Sequence, residues 1–318
     1  MIDIAAGAVG LGLIWAVVTL GIFISYRVLD TPDLSVEGSI VTGAAVATML
    51  LTSDGNPLIA STANQFIALA AAALAGALAG LLTGFLQTKL RIPALLSGIL
   101  TMIALYSINI RIMGGRPNVP LLRTRTILTP LTDGGISKDL AIIIVALITV
   151  SLTIALLRWF LRTEFGCALR ATGNNPHMSV AQGINTDTAR MVGLAVSNAL
   201  VGLAGGLLAQ YQGFVDVQMG VGAIVIGLAS LIIGEVIFGR TTLLRNMIAV
   251  SLGAIVYRII IALVLEAGMA ATDLKLFTAI TVALALWLPA ARTQIDTLSR
   301  RFRGSTSTPA TPPPEEAG

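Results

Sequence analysis

Few side chains in this sequence have the type and spacing that chemistry requires. The chain has one histidine, His177, and one cysteine, Cys167. A single cysteine rules out an internal disulfide, and with a single histidine no Cys/His metal cluster can be assembled. His177 follows Pro176 in a polar stretch and reads as a surface or docking residue rather than a base. Cys167 reads as a small packing residue rather than a nucleophile. No Gly-x4-Gly-Lys-Ser/Thr phosphate loop occurs, and GAVGLG at 7–12 lies inside an apolar run with no strand before it. Neither ATP nor a dinucleotide is therefore expected to be bound by this chain, and no cofactor or metal is expected.

What remains is a set of polar groups at the edges of apolar runs. Asp33, Ser35, Glu37 and Gly38 precede one such run, and Asp216, Gln218 and Gly222 precede another. Pro32 and the flanking acids end one helix, and the glycines let the next begin with free amides facing a cavity, so these seven residues are candidates to line a solute path. The plainer alternative is a pair of interfacial loops with helix-capping acids, which the helix dipole favours whatever the function. Glu235 and Arg258 are charges inside apolar runs. Glu235 is expected to reach the interface or pair with Arg240 or Arg245, and Arg258 to have a structural or cavity-lining role.

The elements that must position these groups are membrane helices. Of 318 residues 55% are hydrophobic and 11% charged, and apolar runs long enough to cross ~30 Å of hydrocarbon recur. A soluble core would need more polar surface than this chain supplies. The fold class expected is all-α, a polytopic membrane protein with about nine transmembrane helices, at 4–25, 38–52, 59–87, 92–112, 139–160, 190–211, 220–238, 246–265 and 273–290. The third span is long for one perpendicular helix and is expected to tilt or to break near Gly76 or Gly80; Gly76, Gly80 and Gly84 form a GxxxGxxxG packing stripe. The net charge of +4 is scattered singly at span ends, so nucleic acid is not expected as a partner. The N-terminus lacks a basic region before its first apolar run and reads as a retained span.

EGSIVTGAA at 37–45 aligns with VGAIVIGLA at 221–229, with glycine, isoleucine, valine and alanine identities at a constant offset of 184. The same offset lays spans one to four on spans six to nine. That pattern predicts two inverted four-helix repeats around a connecting helix, with a path at their interface. Basic residues put the segment around 161–189 and the tail with Arg292, Arg300, Arg301 and Arg303 inside and so the N-terminus outside. The loop 112–138 is the exception, expected outside despite Arg116, Arg123, Arg125 and Lys138 because the other basic clusters agree and its prolines and Gly134–Gly135 suit a structured external loop. The division expected is a transmembrane domain over 1–290 and a tail over 291–318, disordered from about 304 because STSTPATPPPEEAG is Pro-rich and without periodicity.

The polar stretch RWFLRTEFGCALRATGNNPHMSVAQGINTDTAR at 158–190 reads as two short helices, about 164–173 and 176–182, joined at Gly173–Pro176 and stopped by Gly183. Such a knob is longer than a passive connector needs, and transmits force if a soluble partner grips it.

Here the residues carry a resemblance. FG-x-ALRA-x-G-x-NP-x6-GI, from Phe165 to Ile184, resembles the coupling segment of ATP-binding-cassette importer permeases of the branched-chain amino acid and ribose type. DLSVEGS at 33–39 resembles the DLSVG element of sugar permeases in that group, with Glu37 inserted before the glycine. Residues 95–122 are similar to the tryptophan/tyrosine uptake subfamily. The resemblance implies a permease subunit of a binding-protein-dependent importer in a bacterial inner membrane, for aromatic or branched-chain amino acids, with sugars or nucleosides as the alternative within the class. It implies a separate ATPase subunit docking on Glu164, Gly166, Arg170, Ala171, Gly173, Asn175, Pro176, His177 and Gly183, an extracytoplasmic solute-binding protein over the 112–138 loop, and a second permease copy. A secondary transporter also uses inverted repeats, but would need a mid-span ion-coupling cluster; a membrane-embedded enzyme would need a catalytic pair within spans.

Overall fold

The computed structural model describes residues 2–52, 63–121, 124–239 and 241–266, and positions 276, 279, 280 and 283 beyond them. Six helices are long and apolar enough to cross a membrane, and two shorter apolar helices accompany them. The first expected span is α1 (Ile2–Ile22), which continues as a π-helical segment, Phe23–Val28. After it come α2 (Val36–Thr52), α3 (Ala63–Thr88) and α4 (Ala94–Ile112), then a short strand β1 (Asn118–Pro120) and the single turn α5 (Thr129–Asp133). The remaining elements are α6 (Lys138–Phe160), α7 (Glu164–Asn174), α8 (Pro176–Ala181), α9 (Thr186–Gln212), β2 (Phe214–Asp216), α10 (Ala223–Phe238) and α11 (Leu243–Glu266). Eight of the expected spans are thus helices whose ends fall close to where hydropathy put them. The ninth, 273–290, the tail 291–318 and Arg240 lie outside the continuously described residues.

Local signals explain the boundaries. Ser137 caps α6 by accepting from the amide of Leu140 at 3.4 Å, and Asn185 caps α9 by accepting from that of Thr188 at 3.1 Å. Gly213, at φ +80°, ends α9 in the left-handed conformation that suits glycine. The third span is one unbroken helix from Ala63 to Thr88. Its glycine stripe is a contact surface: a Cβ on Gly76 would strike the carbonyl of Asn198, and one on Gly80 that of Leu194. Backbone-to-backbone approach of this kind replaces the hydrophobic drive that lipid cannot supply.

Of the six long apolar helices α1 and α9 are the most buried, and α3, α4, α6 and α11 have broader exposed faces. Within the bundle α3 packs against α9 and α1 against α11, while α2 also packs against α9 and α10 against α1. Ile14, Val17, Val18, Ile40, Val41, Ile142 and Leu207 form the central core. A second cluster, Leu20, Ile24, Leu29, Leu161, Leu169 and Leu194, lies under the α7–α8 knob. At the opposite end β1 pairs antiparallel with β2, Val119 opposite Val215. This pairing gives the 112–138 connection part of its structure. Three-residue strands carry no periodicity, so hydropathy does not reveal them.

Candidate functional site

Three places concentrate the polar residues of the bundle. The first is the knob. Thr163 caps α7 by accepting from the Gly166 amide at 3.2 Å, and Asn175 caps α8 by accepting from that of Met178 at 3.0 Å. Gly183, at φ +80°, closes the second helix. The expected docking residues divide into two groups. Glu164, Arg170, Asn175, His177 and Gly183 are exposed, and Ala171 and Pro176 are half-buried. Gly166 and Gly173 face inward: a Cβ on Gly166 would overlap the carbonyl of Phe160, and one on Gly173 that of Val28. These two glycines press α7 against the protein itself, Gly173 directly onto the π segment of α1. Leu169, fully buried, meets Leu29 and Gly193 beneath them. Sequence reasoning missed Met178 and Val180, which are 58% and 59% exposed on α8. Two apolar residues in a stretch judged polar as a whole were the available signal.

A cavity of about 860 Å³ opens between α7, the π segment and the α10–α11 turn, lined among others by Arg27, Asp30, Arg170, Thr242 and Asn246. Beside it the Arg27 Nε lies 3.1 Å from Glu235 Oε1, joining α1 to α10. Sequence proximity pointed to Arg240 or Arg245 as the partner of Glu235. Arg27 comes from another helix, which only the packing brings near.

At the second place the broken entries of α2 and α10 meet. Glu37 Oε1 accepts from the Gly222 amide at 3.0 Å, a carboxylate placed at the amino end of α10, where the helix dipole favours it. Gly222 itself has φ +84°, and a Cβ on Gly220 would strike the Glu37 carbonyl. Glu37 and Gly38 line a cavity of about 460 Å³ together with Met102, Tyr106 and Asn109 of α4. Asn109 Nδ2 donates to the Gly38 carbonyl at 3.2 Å. Asp33 and Ser35 are buried beside this region: Asp33 accepts from Asn198 Nδ2 at 2.7 Å and from the Ser35 amide at 2.9 Å. They clasp the α1–α2 linker to α9.

The third place holds Asp216 and Gln218, in and after β2. Asp216 accepts from Asn118 Nδ2 at 3.2 Å and from the Gln218 amide at 2.7 Å. Both residues line a cavity of about 390 Å³ that also takes in Trp15, Gln212, Phe214 and Arg258. The Arg258 guanidinium lies 4.6 Å from the centre of the Trp15 ring, so the charge deep in α11 is cavity-lining. Val221 borders this cavity and that of Glu37. The seven path candidates are therefore brought to neighbouring but distinct positions.

Among the described residues, a bundle of apolar helices with broken entries and a protruding helical knob has the parts of a solute permease. The family model described as branched-chain amino acid transport system / permease component matches residues 4–293. The chain belongs to this family. A tyrosine transport system permease protein of Clostridioides difficile is 40% identical over 270 residues, covering 85% of this chain and 86% of that relative. An uncharacterised protein of Rickettsia prowazekii is 34% identical over 279 residues, covering 86% and 93%. A probable branched-chain amino acid transport permease protein of Methanocaldococcus jannaschii is 39% identical over a shorter segment of 61 residues, 19% of each chain. No solved structure matches the chain. The permease is thus a transport subunit of an ATP-binding-cassette importer and an integral membrane protein.

Proposed function

We propose that this permease carries amino acids, aromatic ones foremost, across a bacterial inner membrane. A separate ATPase grips the α7–α8 knob, an extracytoplasmic binding protein docks at the β1–β2 end, and two permease copies work together. The amino acid class is supported by the tyrosine transport permease, similar over most of both chains. The observation that carries the mechanism is the seat of the knob, where Gly173 lies on the backbone of Val28. A pull on α7 is delivered there to α1 and to the linker that Asp33 ties to α9. This orientation puts the knob and the C-terminus inside and the N-terminus outside, as the basic residues of 158–190 favour.

The rocking units are two inverted repeats. The offset of 184 carries Ile2–Val28 onto Thr186–Gln212, and the helix partners exchange accordingly. The pairing of α1 with α11 corresponds to that of α9 with α3, and the packing of α2 on α9 to that of α10 on α1. Glu37 and Gly222 meet where the halves abut, so alternating access turns about the α2 and α10 entries.

Reconstitution in proteoliposomes tests the reading. Permease, ATPase and binding protein together are expected to take up L-tyrosine or L-tryptophan only with ATP. Uptake by the permease alone, driven by an ion gradient, would make it a secondary transporter instead.

A further inference from the structure

We propose that the cavity formed by Trp15, Gln212, Phe214, Asp216, Gln218 and Arg258 is a binding site for the zwitterionic head of an amino acid, with Arg258 taking the carboxylate and Asp216 the ammonium. This rests on, and sharpens, the amino acid reading above. Arginine and aspartate line one cavity of about 390 Å³, yet no ion pair joins them among the described residues. Arg258 lies deep in α11, where a charge is costly to leave without a partner, and Asp216 is half-buried at the mouth of the same open cavity. Held apart, they leave room for a ligand that carries both charges.

The other atoms agree. Arg258 Nε and Trp15 Nε1 are buried without a hydrogen-bond partner, so the donors around the cavity are unsatisfied as the protein stands. Arg258 is held over the Trp15 ring, a contact that orients a guanidinium without using its N–H groups. Asp216 accepts two hydrogen bonds, and a carboxylate has about four acceptor positions, so capacity for an ammonium remains. Trp15 and Phe214 supply apolar walls for a side chain. The volume is at the small end of ligand pockets, about 300–1,000 Å³, and is ample for one amino acid. The site also lies near the end of α9 away from the knob. That helix has 27 residues, about 40 Å at 1.5 Å per residue, so the cavity sits where solute would enter and the knob where force would be applied.

The test uses the reconstituted permease–ATPase complex, with its binding protein for uptake and without it for ligand binding. L-Tyrosine, L-tryptophan and L-leucine are compared with their decarboxylated amines and deaminated acids as direct ligands of the complex without binding protein. Wild type is expected to bind at least one of the three amino acids roughly tenfold or more tightly than both of its truncated analogues, the scale of one charge-assisted hydrogen bond lost. Arg258→Gln should abolish the preference over the amine, Asp216→Asn the preference over the acid, and Arg258→Lys should restore part of the first. Equal binding of amino acid and amine by wild type, or no binding of any probe, overturns the site even if a variant fails to fold. Amino acid uptake with no such preference removes this inference alone. Uptake of some other solute and of no amino acid removes the reading on which it rests.

Discussion

Met178 and Val180 stand at the tip of the knob with 58% and 59% of their surfaces open, beside the exposed Asn175 and His177. If the ATPase covers this tip, replacing both by serine removes apolar burial without touching the bundle. Fully burying such a side chain is worth ~1.5–3 kcal/mol, and the open fraction scales this to ~0.9–1.8 kcal/mol each. Loss of the pair then weakens the permease–ATPase complex by about 1.8–3.5 kcal/mol, roughly 20- to 400-fold in Kd. The assay is the Kd of purified ATPase for the permease in nanodiscs, measured beside the thermal unfolding of the permease. Stability should hold within ~0.5 kcal/mol, since exposed surface substitutions rarely do more. Gly173→Ala is the contrasting variant: its Cβ would overlap the Val28 carbonyl, so it should cost ~1–3 kcal/mol of stability through overpacking. A Kd within twofold of wild type for the serine pair would refute apolar docking at α8.

Two further outcomes follow from the buried polar contacts. Asn198→Ala leaves the Asp33 carboxylate with the Ser35 amide but without its 2.7 Å donor from α9; a loss of ~2–3 kcal/mol in detergent unfolding is expected, and an unchanged midpoint would mean that the clasp does not hold the linker. Glu37→Ala removes the acceptor at the Gly222 amide and should cost ~0.5–2 kcal/mol, as losing a helix cap does; hydrogen exchange at the start of α10 should rise, and unaltered protection there would show the contact to be incidental.

The sequence announced its helices because hydropathy and length are local properties, and lipid demands both. α6 and α9 end within a few residues of expectation for that reason. The knob was legible as well, since proline, asparagine and glycine punctuate it at fixed spacing. The direction in which its residues point was not. Gly166 and Gly173 belong to a docking pattern by resemblance, yet each faces protein backbone, and backbone proximity leaves no mark in a residue's own type. Arg27 as partner of Glu235, Asn198 as partner of Asp33 and the β1–β2 pairing were hidden for the same reason: each joins segments far apart in the chain.

By itself the sequence determined that this is a helical membrane bundle with a helical knob, and that polar breaks precede two matching apolar segments. Only the tertiary structure decided which of those polar groups share a space. It closed Asp33 and Ser35 into a clasp, set Glu37 on the Gly222 amide just ahead of α10, and placed Asp216 with Arg258 around one cavity. Periodicity along a chain states which face is apolar. Which charges meet depends on how helices cross, and here that is set by glycine and alanine contacts between segments remote in sequence.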